Sequence, residues 1–442
     1  MKLYRASVCD TPLSPFAGGA LRADDDAGLA VVDGVIVDRG AFASVRARWP
    51  VAEVEDLRDG LLIPGLIDTH VHYPQVRVIG DLGRPLLEWL EHCALPEEAK
   101  LVDLAYAQQI AREFVAGLVS SGTTTALAFG SHFANATDAL FAEAARAGVR
   151  LTTGLVTSDR ELPTALLTTP ERARAEAEEL IARWHGVGRN RYAVTPRFAL
   201  SASTELLASE GELFSSHPDL WFTSHLNENQ TEVEIVARQF PEARDYLDAY
   251  DRAGLVGERS VLAHNVLPSD AELVRLGAAG AAVAHCPTSN SSLGSGVFPL
   301  TRHVQHGVRV ALGSDVGAGT GFSLLKEGAQ AYFMQRLAPR GGYALTGAHL
   351  LYLATRAGAE ALGLAGAAAS SSARVGELST GCQFDAVWVR PSPASPLGIG
   401  LRHAPDADAA IAKLFAWGTP ADLARVWIGG DPVWERDAVP TE

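Results

Sequence analysis

The chain has 442 residues, 47% of them hydrophobic and 20% charged, with a formal net charge of -15. This length accommodates up to about three average domains, or one large α/β barrel with an appendage. The acidic balance argues against nucleic acid or an anionic membrane as partner. There is no apolar run of about 18 residues or more, and Met1-Lys2-Leu3-Tyr4-Arg5 does not begin a signal peptide. A cytoplasmic protein acting on a small molecule is expected.

Residues 1–63 read as β structure, with runs such as Leu29–Val37 punctuated by Gly and Asp and no evident amphipathic helix. The segment 376–390 reads as a turn followed by a strand, and Val426–Trp434 as a hairpin around Gly429-Gly430. Both ends are therefore expected to build one small β-sandwich domain, 1–63 with 375–442.

The middle, 64–374, alternates short β-branched runs with longer helix-like stretches, as βαβ units do. Eight strand candidates follow in order: Leu62–His72, Thr123–Gly130, Arg150–Thr157, Tyr192–Leu200, Trp221–Glu228, Ser260–Val266, Ala281–Pro287 and Val308–Val316. Helical segments such as Leu101–Ser120, Pro170–His185, Ser269–Gly277 and Thr301–His306 lie between them, and 365–373 reads as a surface loop. The fold class expected is α/β, a (β/α)8 TIM-like barrel carrying the terminal β-sandwich.

In such a barrel the active site sits at the C-terminal ends of the strands. His70, His72, Arg197, His225, Glu228, His264, His285 and Asp315 fall largely there. Polar groups at the ends of apolar strands are costly unless paired or ligated. Alternate residues of a strand share a side, so His70 and His72 can face the barrel axis together. Such a triplet alone is equally compatible with two core histidines. His225 and Asp315, at the ends of the fifth and eighth candidates, extend it to three imidazoles and one carboxylate. That set suits a single zinc ion with room for a water, although iron or manganese could fill a similar one. Asp315 also reads as a helix N-cap.

Glu228 could carry a proton between an activated water and a substrate nitrogen. From spacing alone it reads as readily as an exposed loop glutamate. His264 is a further ligand or a donor at the reacting centre. His285, followed by Cys286-Pro287, reads as structural beneath the site as readily as functional. The remaining histidines, His132 among them, are read as surface or core residues. Cys9, Cys93, Cys286 and Cys382 show no CxxC spacing, so neither disulfides nor a thiolate zinc site is expected. No lysine occurs between Lys100 and Lys326, which argues against two metals bridged by a modified lysine.

PGLIDTHVH (64–72), the His225 and His264 strand ends, GSDVG (313–317) and GELSTGCQFDAV (376–387) resemble the amidohydrolase superfamily over nearly the whole chain. The resemblance implies metal binding by His70, His72, His225 and Asp315, catalytic roles for Glu228, His264 and Asp315, and a homodimer. Tyr73-Pro74-Gln75 with the run 85–90, Pro196-Arg197-Phe198, and HCPTSNSSLGSGVF (285–298) are similar to the guanine deaminases within it. That likeness implies a purine substrate held by Gln75, Arg197 and Phe198, and hydrolytic deamination of guanine to xanthine and ammonia. Cys93-Ala94-Leu95 departs from that pattern and leaves other heterocycles open: an oxidised guanine, another nucleobase or a triazine. A non-enzymatic scaffold is the alternative of another class.

Overall fold

The computed structural model describes residues 1–338, 341–366 and 374–436. Most of the expected loop at 365–373 lies outside them. Strands β1 (Lys2–Asp10), β2 (Arg22–Val32), β3 (Val35–Ala41) and β4 (Glu53–Pro64) open the chain. β5 (Leu66–His72), β6 (Thr123–Phe129), β7 (Arg150–Gly154), β8 (Val156–Thr157), β9 (Arg191–Pro196), β10 (Trp221–Leu226), β11 (Ser260–His264), β12 (Ala282–His285) and β13 (Arg309–Leu312) make up the middle. β14 (Ala386–Val389), β15 (Leu423–Ile428) and β16 (Asp431–Glu435) close it.

The terminal strands form one mixed sheet in the order β16-β15-β14-β4-β1-β2-β3. It curls over itself. Tyr4 on β1 and Trp427 on β15 are three ladder steps apart, about 14 Å in a flat sheet, yet their ring centroids are 5.7 Å apart. Phe384 stacks on Tyr4 at 4.4 Å, so an aromatic core fills the inside of the curl. The expected sandwich is thus a single folded sheet. Its β15–β16 hairpin turns on Gly429 and Gly430, both at positive φ, as a two-residue hairpin requires. Unlike the expectation, the N-terminal part contains a short helix, Phe42–Arg48. Its one fully buried residue, Val45, packs with Leu3, Ala30 and Ala52 on the other face of the sheet.

The run expected as one strand, 62–72, divides at Gly65, where the chain leaves the terminal sheet and enters the barrel. A Cβ on Gly65 would stand 2.2 Å from the Thr124 hydroxyl oxygen. β5 through β13 then pair in parallel around the barrel, with β7 and β8 serving as one interrupted strand. Backbone bonds from Asp315 N to His70 O (2.8 Å) and His72 N to Val316 O (3.1 Å) span the seam between β5 and the end of β13. Every residue of β5 and β6 is buried, which is why these strands read as continuous apolar runs rather than alternating ones. Outside the barrel, helix Leu104–Ser120 buries Ala107, Ile110, Ala111, Phe114, Leu118 and their neighbours, a helical stripe facing the core.

Candidate metal centre and active site

At the C-terminal mouth of the barrel β5 points His70 and His72 to one place. Their Nε2 atoms are 3.2 Å apart, and His225 Nε2, from the end of β10, lies 3.3 Å from that of His72. Asp315, three residues past β13, brings Oδ1 to 3.2 Å from His70 Nε2 and 3.1 Å from His72 Nε2. Donors around a four-coordinate ion with bonds of about 2.0–2.1 Å stand about 3.3 Å from one another. The donor set therefore fits one such cation.

The protonation of these groups agrees. Burial pushes His70 down to about 3 despite the Asp315 carboxylate, and burial with the neighbouring imidazoles pushes His225 well down. Both rings are neutral, as ligands must be. His225 Nδ1 lies 2.5 Å from the Arg197 carbonyl oxygen. A carbonyl only accepts, so this nitrogen carries the proton and Nε2 presents its lone pair to the cluster. Cys286 also comes close to His70 and His264, but burial holds its thiol protonated.

Two carboxyl groups in the mouth are driven apart. Burial would raise Asp315, but the adjoining His70 and His72 imidazoles hold it well below the carboxylate range. Glu228 is raised well above that range by burial and by the charges of Glu232 and Asp315. An ionised carboxylate beside a carboxyl that burial makes easier to protonate is the pairing that hydrolysis with proton transfer requires. His264 Nε2 lies 3.5 Å from Glu228 Oε2 and 3.8 Å from Asp315 Oδ2. Its Nδ1 is 3.0 Å from Asn290 Oδ1. It faces the two carboxyls.

One small cavity connects these groups to the expected substrate contacts. His72, His225, Glu228, His264 and Asp315 line one side, and Gln75, Arg197 and Phe198 another. Leu86, Trp89 and Leu90 also line it, whereas Cys93, Ala94 and Leu95 do not. The departure from the guanine deaminase pattern thus lies outside the wall. His285 lies off this wall, stacked on Phe298 at 4.2 Å.

Sequence reading missed Glu98, buried behind Gln75 and Arg197, and His132 beside it. It also missed Asn290, and Asp68, which accepts from Ser314 beneath the ligands. The barrel mouth concentrates strained backbone: Asn227, His264, Asn265 and Asp315 all have positive φ, four of six such non-glycine residues among those described. Residues held there typically mark functional sites.

A family model described as "Amidohydrolase family" matches residues 61–433. The chain belongs to this family. It is 59% identical to a Deinococcus radiodurans protein named "Probable guanine deaminase", over 99% of this chain and all of that one. The structure of E. coli guanine deaminase superposes with a TM-score of 0.93 at 36% identity, covering 99% of this chain and 100% of that one. A guanine deaminase from C. acetobutylicum, with guanine bound in its active site, superposes at 0.89 with 26% identity, covering 98% and 100%.

Proposed function

We propose that this amidohydrolase deaminates guanine hydrolytically, releasing xanthine and ammonia, with one zinc ion held by His70, His72, His225 and Asp315. The observation that carries the reading is the cavity that joins His72, His225, Asp315 and Glu228 to Gln75, Arg197 and Phe198. Full-length similarity to proteins named as guanine deaminases supports the substrate.

An ion in that donor set supplies Lewis acidity that lowers the pKa of a water towards neutrality. Glu228, protonated in its buried position, gives its proton to a ring nitrogen as the water oxygen bonds to C2. The carboxylate so formed takes a proton from that oxygen and delivers it to the exocyclic nitrogen, which leaves as ammonia. Asp315 and His264 orient the water and take its first proton, which returns Glu228 to its acid form once ammonia has left. Arg197 and Gln75 hold the ring through its carbonyl oxygen and nitrogens, and Phe198 closes the wall beside them.

Ammonia release across guanine, 8-oxoguanine, adenine, cytosine and an amino-triazine tests the reading. Guanine is expected to show the highest kcat/KM. Turnover of another base with none of guanine would overturn it.

A further inference from the structure

We propose that Glu98 is a positioning residue that sets which atoms of the base-binding wall donate and which accept, and that it thereby selects a purine with oxygen rather than an amino group at C6. This deepens the guanine reading and rests on it. Glu98 reaches the site from the short helix Leu95–Ala99. Its neighbour Glu97 turns the other way, to Lys100 Nζ at 2.6 Å. Glu98 is fully enclosed and does not itself line the cavity.

Its carboxylate accepts from Gln75 Nε2 (2.8 Å) and Arg197 Nη2 (2.9 Å) at Oε1. Arg197 Nε and His132 Nδ1 lie 3.5 Å and 3.4 Å from Oε2. A carboxylate has no proton to give, so each group turned towards it must be a donor. Gln75 therefore keeps its NH2 on Glu98 and its Oε1 towards Gly317 N, at 3.4 Å. The amide cannot turn over without setting its oxygen against the carboxylate. Burial would raise Glu98, but the charges of Arg197 and His132 and the hydrogen bonds hold it at about 2. The group thus stays acceptor-only at any working pH. It also accepts from Arg197, which lines the cavity, where guanidinium donors match a carbonyl oxygen and oppose an amino group.

A glutamine at this position presents either an oxygen or an NH2, so Gln75 is free to turn and its part of the wall loses its fixed polarity, while Arg197 remains a donor. The test compares kcat and KM of wild type and Glu98→Gln on guanine and on 2,6-diaminopurine, which has the same leaving group at C2 and an amino group at C6. Glu98→Gln is expected to lower kcat/KM for guanine about 10–100-fold, and to shrink the preference for guanine about tenfold or more. Bound metal is expected to stay at the wild-type level. A preference unchanged within about twofold would overturn the proposal, even with both activities reduced, because a purely structural role lowers both alike.

Leaving Arg197 buried without its partner could prevent folding, so Glu98→Asp provides a second arm. Aspartate is also acceptor-only; KM is expected to rise while the preference survives, and a collapsed preference would overturn the proposal. Failure of the guanine reading shows separately, as a wild type that releases no ammonia from guanine. The affinities of the two purines are then compared in the same variants. A narrowed affinity ratio in Glu98→Gln supports the proposal, and an unchanged ratio overturns it.

Discussion

Tyr250 ties His225, the proposed metal ligand, to its surroundings through its hydroxyl. The side chain is fully buried. Its Oη accepts from Ala199 N at 2.8 Å, donates to the His225 carbonyl at 2.8 Å and lies 2.9 Å from Ser224 Oγ. Ser224 retains its bond to the Pro196 carbonyl, so Tyr250→Phe chiefly strands the Ala199 amide and weakens the hold on His225. An orphaned buried donor costs roughly 1–3 kcal/mol, and the lost bond about 1 kcal/mol more, together about 2–4 kcal/mol. Unfolding entropy of about 2.1 cal/mol/K per residue over 442 residues is roughly 0.9 kcal/mol/K. The expected fall in Tm is therefore about 2–4 °C, read by calorimetry on samples of equal metal content. An unchanged Tm would refute the claim that this hydroxyl satisfies an otherwise unpaired amide.

Glu228→Gln is expected to lower kcat about 10²–10⁴-fold with bound metal unchanged, because Glu228 stands outside the ligand set; full activity would remove the proton-carrier role. Asn290→Ala frees the His264 ring and is expected to cost about 10–100-fold in kcat, by analogy with groups that orient a metal site, with KM little altered; a change confined to KM would contradict this orientation. Glu98 is held at about 2 when folded, against an ordinary value near 4.5. Its stabilisation, on the order of 3 kcal/mol, is complete above the unfolded value and fades as pH falls towards about 2. Urea unfolding of Glu98→Gln between about pH 5 and 3 should lose stability less steeply than wild type, and equal slopes would count against the buried ion pair.

The proposed metal ligands were legible because their signal is local. His70 and His72 alternate on one strand, and His225 and Asp315 close apolar runs of recognisable length. Glu98 gave no such signal. It sits on a short helix without periodicity, beside a second buried glutamate that pairs with Lys100 and Tyr106, and its partners Gln75 and Arg197 lie 23 and 99 residues away. Asn290 and Tyr250 are hidden for the same reason: their roles exist only once distant strands converge. Gly65 was invisible as a boundary because apolar residues continue on both sides while the chain changes sheet. The Phe42–Arg48 helix escaped notice because two turns with one buried position carry almost no amphipathic pattern.

One divalent ion in the set His70, His72, His225 and Asp315 is proposed to drive guanine deamination. Elemental analysis of the purified chain, paired with guanine turnover before chelation, after it and after zinc is restored, tests this most directly. One zinc per chain is expected, with activity lost when the metal is removed and regained when it returns. Undiminished turnover by a metal-free chain would contradict the claim.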